Sequence, residues 1–282
     1  MWIFLATFSM ILSATRRVYD KRLTGHFGNF PLAFVMNIFS FLPFCVMLFF
    51  FPLPKDVFNL PLNFWAPLLL SATVYPLQVY CYFRAIREGE MSAVIPLVTL
   101  APIFNIATSF VLVGEVPSTL GFIGISVIVV AVYFLLKKKG THIKSRPEMF
   151  MIASMFLLAI SASFDKIGIQ ASTPMWYVFM NALLGVLFVG ILTFYTKEHA
   201  ELKKIRPHFG SLVIVGLLLS FSYVTMQFAI LNGPTSYVLA IRSGVFVFPA
   251  LWGIFRLKEF VSSGKIVALG LFIAGSILLA FA

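Results

Sequence analysis

Arg242 stands inside an apolar run, flanked by SYVLAI and SGVFVF. It lies about seven residues into that run, roughly 10 Å along a helix axis at 1.5 Å per residue. A guanidinium at that depth in hydrocarbon costs several kcal/mol unless it is paired or hydrated, so an intramembrane arginine marks a functional position by default. Its fork of N–H donors suits a carboxylate or a phosphate. The other reading is a structural pair with Asp20 or Asp165, or snorkelling to one interface.

The segment ATRRVYDKR brings Arg16, Arg17, Asp20 and Lys21 together near the end of the first apolar run. Arg16 and Asp20 are four residues apart, as are Arg17 and Lys21. One helix face therefore holds an internal ion pair while its neighbour stays basic. Such a cluster serves as an anion-attracting mouth with a coupling or gating carboxylate, or as ordinary interfacial charge at a helix end. Asp165 and Lys166 form a second acid-base couple in the sixth run, candidates with Asp20 and Lys21 for coupling or gating, although adjacency favours a structural pair.

Polar and aromatic side chains in the other runs are the remaining candidates. They are Tyr75, Gln78, Tyr80 and Tyr82 in the third, Asn105 and Thr108 in the fourth, and Ser220, Ser222, Tyr223 and Gln227 in the eighth. Buried amides and hydroxyls in lipid need partners, so they turn toward a solute, toward water or toward another helix. From this set Tyr75, Gln78, Tyr80, Asn105, Ser222, Tyr223 and Gln227 join Arg16, Arg17 and Arg242 as candidate substrate contacts. Asn181 in the seventh run reads as structural. Glu115 and Glu259 are symmetric, as a proton-coupling pair would be, but they sit in turns just before the next helix, where a carboxylate caps exposed N–H groups and complements the positive helix end. Pro76, Pro96, Pro102 and Pro249 remove backbone hydrogen bonds within helices and mark kinks or hinges.

Enzyme chemistry finds no support. His26, His142, His199 and His208 fall in or near connections with no HExxH or His/Cys cluster. Neither a nucleophile elbow nor a P-loop is present. Cys45 and Cys81 lie inside apolar runs, which supports neither a disulfide framework nor a metal site. No cofactor or metal is expected.

The elements that carry these residues are membrane helices. The chain is 60% hydrophobic and only 11% charged, against roughly 25% charged residues in a soluble domain. Ten apolar stretches run approximately from Trp2 to Arg22, Pro31 to Phe51, Phe64 to Ile86, Met91 to Val113, Thr119 to Leu136, Met149 to Ile169, Pro174 to Tyr195, Phe209 to Leu231, Thr235 to Phe255 and Gly264 to Ala282. Each approaches the ~20 residues needed to cross ~30 Å of hydrocarbon. Lipid offers the backbone no partners, so these runs must be helices. An all-α, multi-pass integral membrane protein follows. The first run ends in Arg16, Arg17, Lys21 and Arg22 rather than in a cleavage site, so it is read as a membrane helix and not a signal.

A net charge of +11 suggests nucleic acid in a soluble chain, but topology explains it here. With the spans numbered in order, 18 of the 21 Lys and Arg fall in or beside the connections 1/2, 3/4, 5/6, 7/8 and 9/10. Basic residues are retained in the cytoplasm, so the bias predicts non-cytoplasmic termini.

The ten spans divide into two similar halves, 1–139 and 149–282, joined by a polar linker at 140–148. YDKRL at the end of span 1 matches FDKIG at the end of span 6, pairing Asp20 with Asp165 and Lys21 with Lys166 at an offset of 145. AIREGEMSAVIPLV matches AILNGPTSYVLAIR at 144, pairing Gly89 with Gly233, and Glu115 pairs with Glu259 at the same offset. Five spans per half is an odd number, so the second half enters the membrane from the opposite side. Inverted repeats create a pseudo-two-fold axis in the membrane plane and two nearly equivalent conformations opening to opposite sides.

The run YCYFRAIREGEMSAVIPLVTLAPIFNIATSFVLVGEVPSTLGFIGISVIVVAVYFL resembles the signature of the drug/metabolite transporter superfamily in its EamA-like branch, and the second half repeats the pattern. The resemblance spans essentially the whole chain. It implies ten helices in a 5+5 arrangement, with helices 1, 3, 4, 6, 8 and 9 around a central cavity. The substrates it implies range over amino acids, nucleotide sugars, phosphorylated sugars, choline and drugs. Well-studied members place both termini in the cytoplasm, the reverse of the charge bias here. Basic groups outnumber acids among the pathway candidates, so the predicted cargo is a small organic solute with an anionic group, such as an amino acid or another carboxylate metabolite, moved by alternating access in the cell membrane. A flippase for lipid-linked substrates would need a cavity open sideways to lipid, and a non-transporting scaffold would have all its charges paired. No nucleic acid partner is expected, and monomer and homodimer both remain open.

Overall fold

The computed structural model describes residues 1–57, 59–137, 146–246 and 263–282. Glu259, Pro249, His142 and the linker residues 140–145 lie outside the described residues, as does the end of the ninth span, while 146–148 open a helix rather than a linker.

The helices are α1 (Trp2–Thr24), α2 (Asn29–Leu48), α3 (Leu62–Glu88), α4 (Met91–Val94), α5 (Leu100–Leu112), α6 (Thr119–Lys137), α7 (Arg146–Gln170), α8 (Pro174–Tyr195), α9 (Ile205–Asn232), α10 (Thr235–Arg242) and α11 (Ser263–Ala280). No strand occurs among the described residues. Asn29–Leu48, Arg146–Gln170, Pro174–Tyr195 and the run Glu198–Asn232 are long and apolar enough to cross a membrane by length and composition, and Leu97–Leu112, Thr119–Ala131 and Val267–Ala280 are shorter apolar helices.

Two spans are discontinuous at comparable places in the two repeats. In the fourth, α4 gives way to a 3₁₀ turn over Ile95–Thr99 before α5, with proline in its first turn. Pro96 has no N–H to donate, so the α-helical ladder cannot run through it. In the ninth, α10 ends at Arg242 and passes into a 3₁₀ turn over Ser243–Phe246 in which Gly244 leaves helical geometry. Sequence reading expected both spans as single helices. Non-helical backbone at membrane depth is tolerated only where protein or a water-filled cavity surrounds it.

Helix pairing obeys the pseudo-two-fold axis. α1 packs along α9 and α3 along α7, two contacts the axis exchanges, while α2 with α8, α5 with α10 and α6 with α11 are pairs it maps onto themselves. Hydrogen bonds repeat in the same way. Ser9 and Ser222 exchange side chain-to-carbonyl bonds between α1 and α9, at 2.7 and 3.1 Å. At their equivalents, Ser154 Oγ donates to the Gln78 carbonyl at 3.0 Å and receives the Gln78 amide at 3.1 Å. Ten membrane helices in two inverted five-helix repeats are therefore the architecture.

Two apolar cores flank the middle of the bundle. One gathers Ala6, Phe64, Tyr177, Met226 and Tyr237 toward the face that carries the termini. The other gathers Leu23, Phe27, Ile86, Met151 and Leu212 toward the opposite face.

Candidate functional site

Between these cores lies a cavity of about 170 Å³, well above the ~10–15 Å³ that admits one water. It is built by the middle turns of α1, α2, α3, α7, α8 and α9, together with the start of α5 and the end of α10. The second and seventh spans, α2 and α8, were not among those the resemblance placed around it. They bring Asn37 and Ser40, and Asn181, into the lining. Asn181, read as structural, both lines the cavity and bonds within it.

Three arginines face this space. Arg242 sits where α10 breaks, its Nη1 against the Met226 sulfur and its Nη2 3.5 Å from Ser13 Oγ and 3.4 Å from Ser222 Oγ. Arg17 lies over the Tyr82 ring, 5.4 Å from its centroid. Arg16 lies over the same ring at 5.9 Å and reaches Asp20 Oδ2 at 3.4 Å. Tyr82 donates its hydroxyl to the same oxygen at 2.9 Å. Cation–π contact offsets part of the cost of dehydrating a guanidinium, about 0.5–2 kcal/mol. It engages the face of the guanidinium and not the N–H donors in its plane, of which Arg16 Nη2 meets Asp20. Arg16 Nε, Arg17 Nε and Nη1, and Arg242 Nε are buried without a hydrogen-bond partner. The structure joins Arg242 to neither Asp20 nor Asp165, so the alternative of an ion pair with those acids fails.

None of the three arginines has a basic counterpart in the other repeat. Offsets of 145 and 144 place Ser161 and Ala162 opposite Arg16 and Arg17, and Val98 opposite Arg242. Packing shared by both repeats does not require these three charges.

Asp165 closes another wall of the cavity. Its Oδ1 accepts from Ser71 at 2.6 Å, Tyr177 at 2.8 Å and Asn181 at 3.4 Å. Its Oδ2 accepts from Gln227 at 2.7 Å and Tyr223 at 3.2 Å. Tyr75, also in the lining, donates to Asn37 Oδ1 at 2.8 Å and leaves Asn37 Nδ2 buried and unpartnered. Counting Asp20 behind Tyr82, three guanidiniums stand against two carboxylates.

Arg16, Arg17, Tyr75, Gln78, Asp165, Tyr223 and Arg242 thus share one cavity. Gln227 and Ser222 stand just behind it, on Asp165 and Arg242. Other candidates are placed elsewhere. Tyr80 stacks on Phe30 at 5.2 Å and accepts from Arg84, away from the cavity. Asn105 is fully buried between α5 and α7, donating to the Ala159 carbonyl and Ser163 Oγ, each at 3.0 Å, with Thr108 in the same network. Ser220 bonds its own helix.

Asp20 is buried outside the lining, and Lys21 and Lys166 donate to backbone carbonyls. Lys21 donates to the carbonyls of Ile86 and Gly89 at the end of α3. Lys166 donates to their equivalents, Ile230 and Gly233, at the end of α9. Cations there satisfy terminal carbonyls and oppose the negative helix end. Lys166 pairs with Glu115 at 3.3 Å, not with Asp165. Glu115 accepts from the Thr235 backbone N–H at 2.9 Å, so it caps α10 of the other repeat instead of the helix that follows it.

His26 and His208, 182 positions apart, stack with ring centroids 4.3 Å apart. No group of three or more metal-ligating side chains occurs among the described residues. Cys45 and Cys81 are both free thiols.

The sequence model of the EamA-like transporter family matches residues 1–137 and again 145–281. One solved structure, titled only "Crystal structure of protein", superposes with a TM-score of 0.78 at 12% identity, covering 99% of this chain and 96% of that one. At that identity the likeness concerns the fold alone. No curated protein matches.

Proposed function

Because this chain belongs to the EamA-like transporter family, a family of membrane transporters of small solutes, we propose that it carries an organic anion through the central cavity by alternating access. The observation that carries this reading is the set of three cavity arginines whose buried donors lack partners. A buried donor left unmade costs about 1–3 kcal/mol, more when charged. A carboxylate or phosphate entering the cavity would satisfy several at once. A scaffold would pair these charges.

Each repeat contributes a different share of the mechanism. Arg16 and Arg17 come from the first and Arg242 and Asp165 from the second, so an anion held by all three guanidiniums is gripped by both halves. Rocking one repeat against the other around that grip exposes the same site to either face. The reading includes no chemical conversion of the cargo. The Lys/Arg bias puts the termini on the non-cytoplasmic side of the cell membrane.

Uptake of radiolabelled carboxylates and organic phosphates into proteoliposomes tests the proposal. Arg242→Gln is expected to lower uptake about ten- to hundredfold, the effect of removing a hydrogen bond to a charged group of ~1.5–3 kcal/mol, while the protein remains folded by size exclusion. Uptake equal to that of the parent protein overturns the role assigned to Arg242.

A further inference from the structure

Among the described residues of the cavity lining, the fully buried side-chain atoms left without a hydrogen-bond partner have a single polarity. They are Arg16 Nε, Arg17 Nε and Nη1, Arg242 Nε and Asn37 Nδ2. All are donors. The lining carboxylate, Asp165, already accepts five hydrogen bonds across its two oxygens. A carboxylate offers about four lone-pair sites, so this acceptor is filled. The two unpartnered buried oxygens nearby, Asp20 Oδ1 and Gln227 Oε1, do not belong to the lining. Gln78 donates its amide to Ser154 and leaves only a neutral carbonyl.

An ammonium group has three N–H donors and no acceptor. Among the described residues of this cavity it meets three guanidiniums of its own sign and no free carboxylate, and burying a charge without a partner is strongly unfavourable. A carboxylate, oxo or hydroxyl oxygen meets the opposite situation.

Taking the cavity to be the anion site described above, we infer that its cargo is an organic anion without an ammonium group. Oxo and hydroxy acids are accepted and the α-amino acids of the same skeleton are refused. This narrows the cargo expected from sequence, which included amino acids. Asp165 serves the wall of the cavity in this scheme, orienting Tyr223, Gln227 and Asn181 rather than receiving a cationic group.

Matched pairs that differ only at one carbon test the inference on the full chain in liposomes: lactate and pyruvate against alanine, malate against aspartate, and 2-oxoglutarate against glutamate. Uptake of each labelled compound is measured for the parent protein and for Arg242→Gln, and thermal stabilisation of the detergent-solubilised protein by each compound is read in parallel. The expected result is at least a tenfold preference for the oxo or hydroxy member of one or more pairs, lost in Arg242→Gln. A site whose buried polar groups match one partner discriminates by that much or more against a mismatched one. If amino acids enter as fast as their partners and Arg242→Gln still abolishes both, the inference is wrong and the anion reading survives. If no compound is taken up or stabilises the protein, or if Arg242→Gln changes nothing, the anion reading falls and the inference with it.

Discussion

Asp165 shows what a buried charge requires in this protein. It is 3% exposed, yet donors from α3, α8 and α9 converge on it through Ser71, Tyr177, Asn181, Tyr223 and Gln227. Removing the acceptor strands all five, and bonds to charged groups contribute about 1.5–3 kcal/mol each without adding fully. Asp165→Ala is therefore expected to lower the Tm in detergent by roughly 5–10 °C, at a few degrees per kcal/mol. Asp165→Asn, which keeps one acceptor oxygen, is expected to fall between it and the parent. A Tm for Asp165→Ala equal to that of the parent shows that the network does not stabilise the fold. Asp20 is the sequence counterpart of Asp165 but meets Arg16 and Tyr82 instead. Its pairing with Arg16 was legible from their spacing of four, because a helix brings i and i+4 together. None of the five partners of Asp165 had such a signal, since the nearest in sequence is Tyr177, in another helix.

Close approach between helices depends on small residues at chosen places. On α7, a Cβ added to Gly168 would sit 2.2 Å from Tyr177 Cε2, and Tyr177 holds Asp165 through its hydroxyl. Gly168→Ala must push that ring away, a strain of about 1–3 kcal/mol. Its Tm should fall, and adding Tyr177→Ala should cost less in the Gly168→Ala background than in the parent, because both changes act on one contact. Strict additivity of the two shifts rules out the coupling. The discontinuous spans follow a similar logic of local necessity. Pro96 was visible as a kink in the fourth span, whereas the end of α10 at Arg242 left no such mark. Lys166 looked like the partner of the acid beside it, and Lys21 like part of a basic face. Adjacent residues on a helix point in different directions, and each lysine instead reaches the carbonyl end of α3 or α9.

Closure at the face of the termini joins the two repeats. Glu115, from the first, binds Lys166 and the start of α10 in the second, and Tyr237 meets the backbone N–H and hydroxyl of Ser118. Across the bundle, Glu201 accepts from the Gly28 N–H, and Lys204 donates to the His26 carbonyl at 2.7 Å. If alternating access works through these contacts, Glu115→Gln weakens the first closure. Alkylation of a cysteine replacing Ser236, which is 2% exposed, should then accelerate several-fold in a background lacking Cys45 and Cys81. An unchanged rate places the closure elsewhere. In the same background a cysteine replacing the exposed Val116 should react with an impermeant maleimide in intact cells, and protection there reverses the proposed orientation. Sequence alone determined the membrane helices, their duplication and inversion, and the presence of arginines where hydrocarbon tolerates none unaided. Those properties follow from composition along a single segment, because lipid forces each span to satisfy its own backbone. Only the tertiary structure decided which polar side chains share the cavity, why Asn37 and Asn181 join it while Tyr80 and Asn105 do not, and that the fully buried unpartnered atoms of its described lining are all donors. Spans that are apolar nearly all round carry no periodic mark of the face turned inward, and the partners that fix it stand tens to hundreds of positions away in the chain.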